Sequence, residues 1–462
     1  MLFVSPSFLF LFLPVALGIY ALLPPKSRRY GLLVISLLFY FFLCWNEPVS
    51  FVLALITAAF TYSAGFLIAV THRRRTLLFS VVVLTIAFFT YRLFQHYALL
   101  LNDPYYPLGS SLYLLASISY LFDIYRSDAP HAKNIADLLL YMLFFPTIIV
   151  GPILKYKDFG GMLEKIDFSL ENFGRGVGRF VSGFLKRVAL SAVLGYALAR
   201  FAADVGQTFG ICAALICALL LVGEILLAIA GYYDMACGLM LMFGICPPAA
   251  DGIRGMSVRR LSRSFYSWCK DYMLHPILRL RHLPRGLRYA AAAAVLCFSS
   301  VIWLKTRWYL LPLAILPLVG RLLLCLPGRR SGRSLWSRAW VRWLSRPLIC
   351  VMLVVFFILL PIERCDDIAS MFASLRSVGT ALLPGTAFLG LFALKYLPIG
   401  VIGLLCLHPL HQGSGDAPSR RGAVFLQVPL MLVGMACFVF AIIHLLPQFP
   451  DCVAAAFPYL VL

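Results

Sequence analysis

Two carboxylates sit where an ionised carboxylate is hard to keep. Glu224 lies in Leu-Leu-Leu-Val-Gly-Glu-Ile-Leu-Leu-Ala, and Asp234 follows Gly231-Tyr232-Tyr233 inside another apolar run. A carboxyl group surrounded by hydrocarbon must stay neutral, pair with a cation or face water, so it either takes part in function or holds helices together. Tyr232, Tyr233 and the arginines of 257–288 are the partners that the sequence offers. That arginine stretch is also the densest in chemistry. It opens with Ser-Val-Arg-Arg-Leu-Ser-Arg-Ser-Phe-Tyr-Ser-Trp-Cys-Lys-Asp-Tyr (257–272) and passes through Arg279, Arg281, Arg285 and Arg288. It then ends an apolar run with Trp303-Leu304-Lys305-Thr306-Arg307-Trp308. Clustered cations at the edge of hydrocarbon-like sequence belong at an interface, in a cavity or against a partner.

The elements that must position these groups are set by composition. Apolar residues make up 62% of the 462-residue chain and charged residues only 13%, with mean hydropathy +0.90. No water-soluble fold hides so much apolar surface, so the chain reads as a polytopic membrane protein. Its net charge of +21 is the lysine and arginine excess of cytoplasmic loops and not a nucleic-acid footprint. The thirteen cysteines include no Cys-x-x-Cys pair. Most, among them Cys212, Cys217, Cys237, Cys297, Cys406 and Cys437, lie in apolar runs as small hydrophobes. The first apolar run is expected to be a retained anchor, because Pro24-Pro25-Lys26 follows it in place of a small-residue cleavage site.

Apolar runs near bilayer length fall at 7–24, 31–46, 50–70, 76–92, 107–122, 135–153, 177–202, 208–230, 232–246, 287–304, 308–326, 347–361, 382–407 and 422–447. Short or charged members are expected to be re-entrant or interfacial, leaving about ten to twelve crossings. There is no β-barrel alternation and no internal repeat, so the expectation is one all-α integral membrane domain over 1–462. The absence of paired repeat halves argues against a secondary transporter. Basic turns at Lys26–Arg29 and His72–Arg75 flank the acidic Asn46-Glu47-Pro48 turn, which predicts an N-terminus outside and the basic turns in the cytoplasm. In 175–202, Arg175, Arg179, Lys186 and Arg187 are spaced so that several fall on one helical face, against Phe180, Val181, Phe184 and Leu185. They predict either an interfacial helix facing anionic headgroups or a crossing with a basic foot. The Arg- and Trp-rich loop 327–346 is expected at the cytoplasmic interface.

Four blocks resemble the membrane-bound O-acyltransferases, in their bacterial branch serving alginate acetylation and teichoic-acid D-alanylation. They are Pro107-Leu-Gly-Ser-Ser-Leu-Tyr-Leu-Leu-Ala-Ser-Ile-Ser-Tyr-Leu-Phe-Asp-Ile-Tyr-Arg126, Phe144-Phe-Pro-Thr-Ile-Ile-Val-Gly-Pro-Ile-Leu-Lys-Tyr-Lys-Asp-Phe159, Gly183-Phe-Leu-Lys-Arg187, and Gly231-Tyr-Tyr-Asp-Met-Ala-Cys-Gly-Leu-Met-Leu-Met-Phe-Gly244. A fifth, Trp268-Cys-Lys-Asp-Tyr-Met-Leu-His-Pro276, is similar to the family's Trp-x-x-Asp-Tyr-Leu-x-x-Pro. The resemblance runs from about residue 30 to 375 and thins into generic apolar helix over 382–447. It implies helices around a central cavity in a bacterial inner membrane. There a cytoplasmic thioester, acyl-CoA or an acyl carrier protein, passes its acyl group to a hydroxyl of an envelope polysaccharide. It also implies an extracytoplasmic acyltransferase as partner and no tightly bound cofactor or metal. Ser111, Tyr113, Glu224, Tyr232 and Asp234 are then expected to line the cavity with Arg259, Arg260, Trp268, Asp271, Tyr272, Trp303 and Trp308.

In the family two histidines carry the reaction, because an imidazole titrates near working pH and can accept the hydroxyl's proton. Counting back from Trp268 lays Arg259 and Arg260 on the family's Arg-Arg pair, Ser264 on its serine, and Ser262 on the first histidine. Trp303 and Trp308 keep the spacing of the second block, with Leu304 on its histidine. Ala116 and Ala228 likewise replace a typical glutamine and aspartate. The resemblance therefore implies a catalytically degenerate homologue, a pseudoenzyme. The alternative is an active envelope-glycan O-acyltransferase whose base has moved to His275, which shares 257–308 with only one other histidine, His282. A transporter or acyl conduit stands below both.

Overall fold

The computed structural model describes residues 3–45, 48–100, 109–164, 166–205 and 211–247, together with Ser264, Ser267, Trp268, Asp271 and Tyr272. The expected spans from 287 onward and the loop 327–346 lie outside them. Within them all regular structure is helical: a π turn (Phe8–Phe12) leading into α1 (Leu13–Leu22), then α2 (Arg28–Leu43), α3 (Pro48–Thr71), α4 (Arg74–Leu100) and α5 (Ser110–Tyr125). Two short helices follow, α6 (Ile135–Met142) and α7 (Tyr156–Glu164). Next come α8 (Leu170–Leu185), a π turn (Lys186–Ser191), α9 (Ala192–Val205) and α10 (Ile211–Met242). Among the described residues, Pro48–Thr71, Leu170–Leu198 and Gly223–Met242 are long and apolar enough to cross a bilayer. The protein is an all-α polytopic membrane protein.

Two expectations of the helix reading are corrected. The run 135–153 is not a crossing: α6 stops at Met142, and residues 143–155 carry no regular helix. Pro146 and the Gly151-Pro152 pair explain this, since proline removes a backbone donor and pushes the residue before it out of helical conformation. Irregular backbone at membrane depth is tolerated only where protein covers it and satisfies its polar groups. Both conditions hold. Phe144, Phe145 and Ile148 are buried. Ser36 Oγ accepts from the Phe145 N–H (3.3 Å), while Tyr141 donates to the Leu154 carbonyl (2.9 Å) and Ser264 to the Ile153 carbonyl (3.0 Å).

Runs 208–230 and 232–246 are likewise one element, α10, unbroken at Gly231. Lipid offers no water to reward an opened backbone, and the glycine has a packing purpose. α8 and α10 meet through facing glycines. A Cβ built on Gly183 would stand 2.6 Å from the Gly231 carbonyl oxygen, and one on Gly238 would stand 2.6 Å from the Phe180 nitrogen. Such contact is available only to residues without a side chain. α8 itself starts cleanly, with Ser169 Oγ accepting from Asn172 N–H (3.3 Å) and Glu171 in the first turn, where acceptor and negative charge both suit a helix N-terminus. α10 ends at Met242, and Gly244 two residues on has a φ of +77°, which fits the left-handed position after a helix and is disfavoured for L side chains.

This seam yields a contrast between two glycines on one helix. Gly183→Leu is expected to force α8 and α10 apart and abolish the monodisperse folded species in detergent. Gly178→Ala, where an added Cβ meets nothing within 4 Å, is expected to be neutral or to stabilise by about 0.5–1 kcal/mol. Thermal aggregation midpoints of the two variants measure the difference.

Candidate functional site

The described site residues fall into two polar groups. The first lies in the α8–α10 seam. Asp234, on α10, is buried; its carboxylate takes Lys186 Nζ at 2.6 Å and Arg179 at 3.4 Å. The sequence offered Tyr232, Tyr233 and the arginines of 257–288 as partners; α8 and its π turn supply two that it did not offer. The expectation for 175–202 is thereby corrected in part. Leu170–Leu198 has the length of a crossing, but Arg179 and Lys186 turn inward to a carboxylate and not outward to headgroups. The π turn at Lys186–Ser191 inserts an extra residue into the helix, as such turns often do near functional groups. Within it Arg187 is buried, stacks 5.7 Å over the Tyr232 ring and donates to Ser191 Oγ (3.3 Å). Glu224 is buried too, packed so closely on Gly195 that a Cβ there would come within 2.9 Å of its Oε1. Ala228 is fully buried on the same helix.

The second group joins blocks that stand 110 to 150 positions apart in sequence. Tyr272 donates to Asp123 Oδ1 at 2.7 Å, and the Lys157 N–H donates to Asp123 Oδ2 at 3.1 Å. Lys155 Nζ reaches Asp271 Oδ2 at 2.5 Å and Ser267 Oγ at 2.8 Å. Arg126 Nη2 donates to the Asp271 carbonyl (2.6 Å), with its guanidinium over the rings of Phe122 and Tyr272. Trp268 is fully buried, its ring centroid 5.3 Å from that of Tyr272. The Trp-x-x-Asp-Tyr segment is therefore seated in a socket made by the end of α5 and the irregular strand entering α7. Ser119 Oγ accepts from the Tyr156 N–H (3.2 Å) and holds that strand to α5. Burial, with Asp137 adding to it, pushes the Tyr156 phenol up to about 12, so it stays a protonated donor across the physiological range.

Of the expected cavity residues, Trp268, Asp271 and Tyr272 are brought together here, and Glu224, Tyr232 and Asp234 share α10. Tyr113 is buried on α5 against Tyr40, ring centroids 6.5 Å apart, and Ser111 lies in the first turn of α5. Arg259, Arg260, Ser262, His275, Trp303, Leu304 and Trp308 lie outside the described residues. Several residues of the socket, Asp123, Arg126 and Lys155 among them, are not singled out by the sequence reading. Asp123 stands in Ile-Ser-Tyr-Leu-Phe-Asp-Ile, and the rule that flags Asp234 flags it equally.

The socket's lysine and carboxylates are held by one another, by the Tyr272 phenol and Ser267 hydroxyl and by the Lys157 N–H, an arrangement that fixes their geometry. His131, the described histidine nearest in sequence to Asp123, packs on Tyr62, Phe66 and Tyr120, with Nε2 3.2 Å from the Tyr62 carbonyl.

The model of the membrane-bound O-acyltransferase family (MBOAT) matches residues 41–360, well over half of the chain and including both polar groups. The chain is similar to the probable alginate O-acetylase AlgI of Pseudomonas aeruginosa, 32% identical over 299 residues that cover 59% of this chain and 56% of that protein. The corresponding protein of Pseudomonas fluorescens is 31% identical over 285 residues, covering 59% and 56%. The peptidoglycan O-acetyltransferase of Helicobacter pylori is 26% identical over 295 residues, covering 54% and 55%. The chain thus spans a little over half the length of the curated relatives it matches.

Proposed function

The chain belongs to the membrane-bound O-acyltransferase family, and from that premise we propose that it serves acylation of a cell-envelope polysaccharide without itself performing the histidine-dependent transfer. In this reading it sits in a bacterial inner membrane with its N-terminus outside. It keeps the family's frame as a scaffold or acyl-binding component, alongside an acyl carrier protein or acyl-CoA as thioester donor and an extracytoplasmic acyltransferase. The observation that carries the reading is a contrast. Trp268, Asp271 and Tyr272 are held in place, whereas Ser262, six residues before Trp268, and Leu304 fill the places where the resemblance puts imidazoles. Leucine has no group that accepts a proton, and a serine hydroxyl does not titrate near neutral pH. The names of the relatives, an alginate O-acetylase and a peptidoglycan O-acetyltransferase, support a polysaccharide hydroxyl as the acceptor class.

A second reading, active transfer with His275 as base, draws on one observation: His275 follows the anchored Tyr272 by three residues in the same matched block. One experiment separates the two. Protein in phospholipid vesicles is given an acetyl thioester with alginate or a peptidoglycan fragment, and thiol release is followed. The expected result is no acceptor-dependent release above empty vesicles, with His275→Ala indistinguishable from the natural chain. The double change Ser262→His plus Leu304→His is expected to raise release above that baseline. Acceptor-dependent release by the natural chain that His275→Ala abolishes would overturn the first reading in favour of the second.

A further inference from the structure

α2 carries a continuous exposed stripe at helical spacing: Tyr30, Val34, Leu38, Phe41 and Phe42, then Trp45 just past its end. Spacings of three and four keep residues on one side of a helix. In a bilayer protein such a side faces lipid. The stripe is not uniform. At the α2–α3 end it closes in an aromatic cluster, where Phe41 lies 5.6 Å from Trp45 and 5.5 Å from Phe51, and Phe42 stacks on Trp45 at 6.1 Å. Trp45 is 65% exposed despite these contacts. At the other end the stripe closes in Tyr30, 57% exposed, beside Lys26, Arg28 and Arg29.

The ends of α3 repeat the polarity. It starts beside the aromatic cluster, with Val49, Val52 and Ile56 exposed, and finishes at Thr71, followed by His72-Arg73-Arg74-Arg75. α2 has 16 residues and α3 has 24, or roughly 24 Å and 36 Å at about 1.5 Å per residue. These lengths bracket a hydrocarbon core of about 30 Å. The basic turns and the aromatic cluster are thus set about one hydrocarbon thickness apart. Indole rings favour the headgroup boundary, where an apolar body and a polar N–H are both accommodated.

We propose that Phe41, Phe42, Trp45 and Phe51 form an interfacial anchor. It holds the α2–α3 end of the bundle at headgroup level in the leaflet opposite to Lys26–Arg29 and His72–Arg75. The occupant of this surface is phospholipid, because the aromatic cluster continues the lipid-facing stripe of the same helix without a break. The inference rests on bilayer insertion alone and does not depend on whether the chain transfers acyl groups.

The test is depth-dependent quenching of tryptophan fluorescence in vesicles whose lipids carry bromine either near the headgroup or near the chain end. Subtracting the Trp45→Phe variant isolates the Trp45 signal, and phenylalanine leaves the aromatic packing largely in place. The shallow quencher is expected to act at least about twofold more strongly than the deep one. Leu38→Trp in the Trp45→Phe background, roughly two turns further along the stripe, should reverse that order. Stronger deep quenching of Trp45 would overturn the proposal, as would quenching by aqueous iodide alone. So would no quenching by either lipid, which would mean that a second copy or another protein covers the cluster.

Discussion

Asp234→Ala is expected to destabilise the α8–α10 pair by about 3–5 kcal/mol, the usual consequence of leaving buried charge uncompensated. Lys186 and Arg179 both point at this carboxylate, at 2.6 and 3.4 Å, with side-chain exposures of 13% and 24% against 7% for Asp234. Removing the acid strands two cations in a seam closed by Gly183, Gly231 and Gly238, where neither can swing far toward water. Asp234→Asn keeps an oxygen acceptor for Lys186 and loses the charge, so an intermediate loss is expected. The informative variant is the triple change Asp234→Leu, Lys186→Met and Arg179→Met. If uncompensated charge is the cause, this apolar version recovers most of the loss, because apolar groups of similar volume often replace a buried ion pair without penalty. Thermal aggregation midpoints in detergent give the series. A triple variant as damaged as Asp234→Ala would instead assign the loss to packing or to contacts specific to the carboxylate. The non-additivity is the measurement, since residues sharing one network do not add.

How far this arrangement was legible beforehand depends on the physics behind each part. Apolar length identified α3 and the bilayer class, because lipid imposes one rule on every crossing residue. Carboxylates in apolar runs identified Glu224 and Asp234 as buried groups that must be accommodated. Their partners were not legible. Arg179 and Lys186 precede Asp234 by 55 and 48 residues, and only the docking of α8 on α10 decides which cations arrive. A period of 3.6 says that Arg175, Arg179 and Lys186 share a side; it does not say whether that side meets headgroups or another helix.

The miss at 135–153 has a different origin. Hydropathy averaged over the run reports burial, and the segment is indeed buried. Burial does not entail helix when Pro146, Gly151 and Pro152 interrupt the hydrogen-bond ladder and hydroxyls from Ser36, Tyr141 and Ser264 stand ready to replace it. The interrupting residues were visible in the sequence; the replacement donors and acceptors came from elsewhere in the fold. The irregular segment matters to the socket because Lys155 at its end holds Asp271 and Ser267, and its Ile153 carbonyl accepts from Ser264. The seating of Asp271 and Ser267 on Lys155 therefore depends on a break that hydropathy smooths over.

Asp123 is the part of the socket whose loss should be felt most. It is fully buried and serves three segments at once. Its carboxylate accepts from Tyr272 and from the Lys157 N–H, and its backbone carbonyl accepts from the Asp128 N–H at 2.9 Å, which fixes the turn after α5. Asp123→Ala leaves the buried Tyr272 phenol without its carboxylate and the part-buried Lys157 N–H without its acceptor, for an expected loss of about 1–3 kcal/mol. Tyr272→Phe removes one donor and its partner's contact together without stranding a donor, and is expected to lose only about 1–2 kcal/mol. In the Asp123→Ala background the same change should be neutral or should recover stability, since no unsatisfied phenol then remains. Hydrogen–deuterium exchange locates the effect. Exchange should rise in peptides covering 153–158 and 264–272, while α8 and α10, held by their own ion cluster, keep their protection. Uniform loss of protection across both regions would contradict a local socket and make Asp123 a determinant of the whole fold. Intact protection at 264–272 in Asp123→Ala would mean that Lys155 and Arg126 seat the segment on their own.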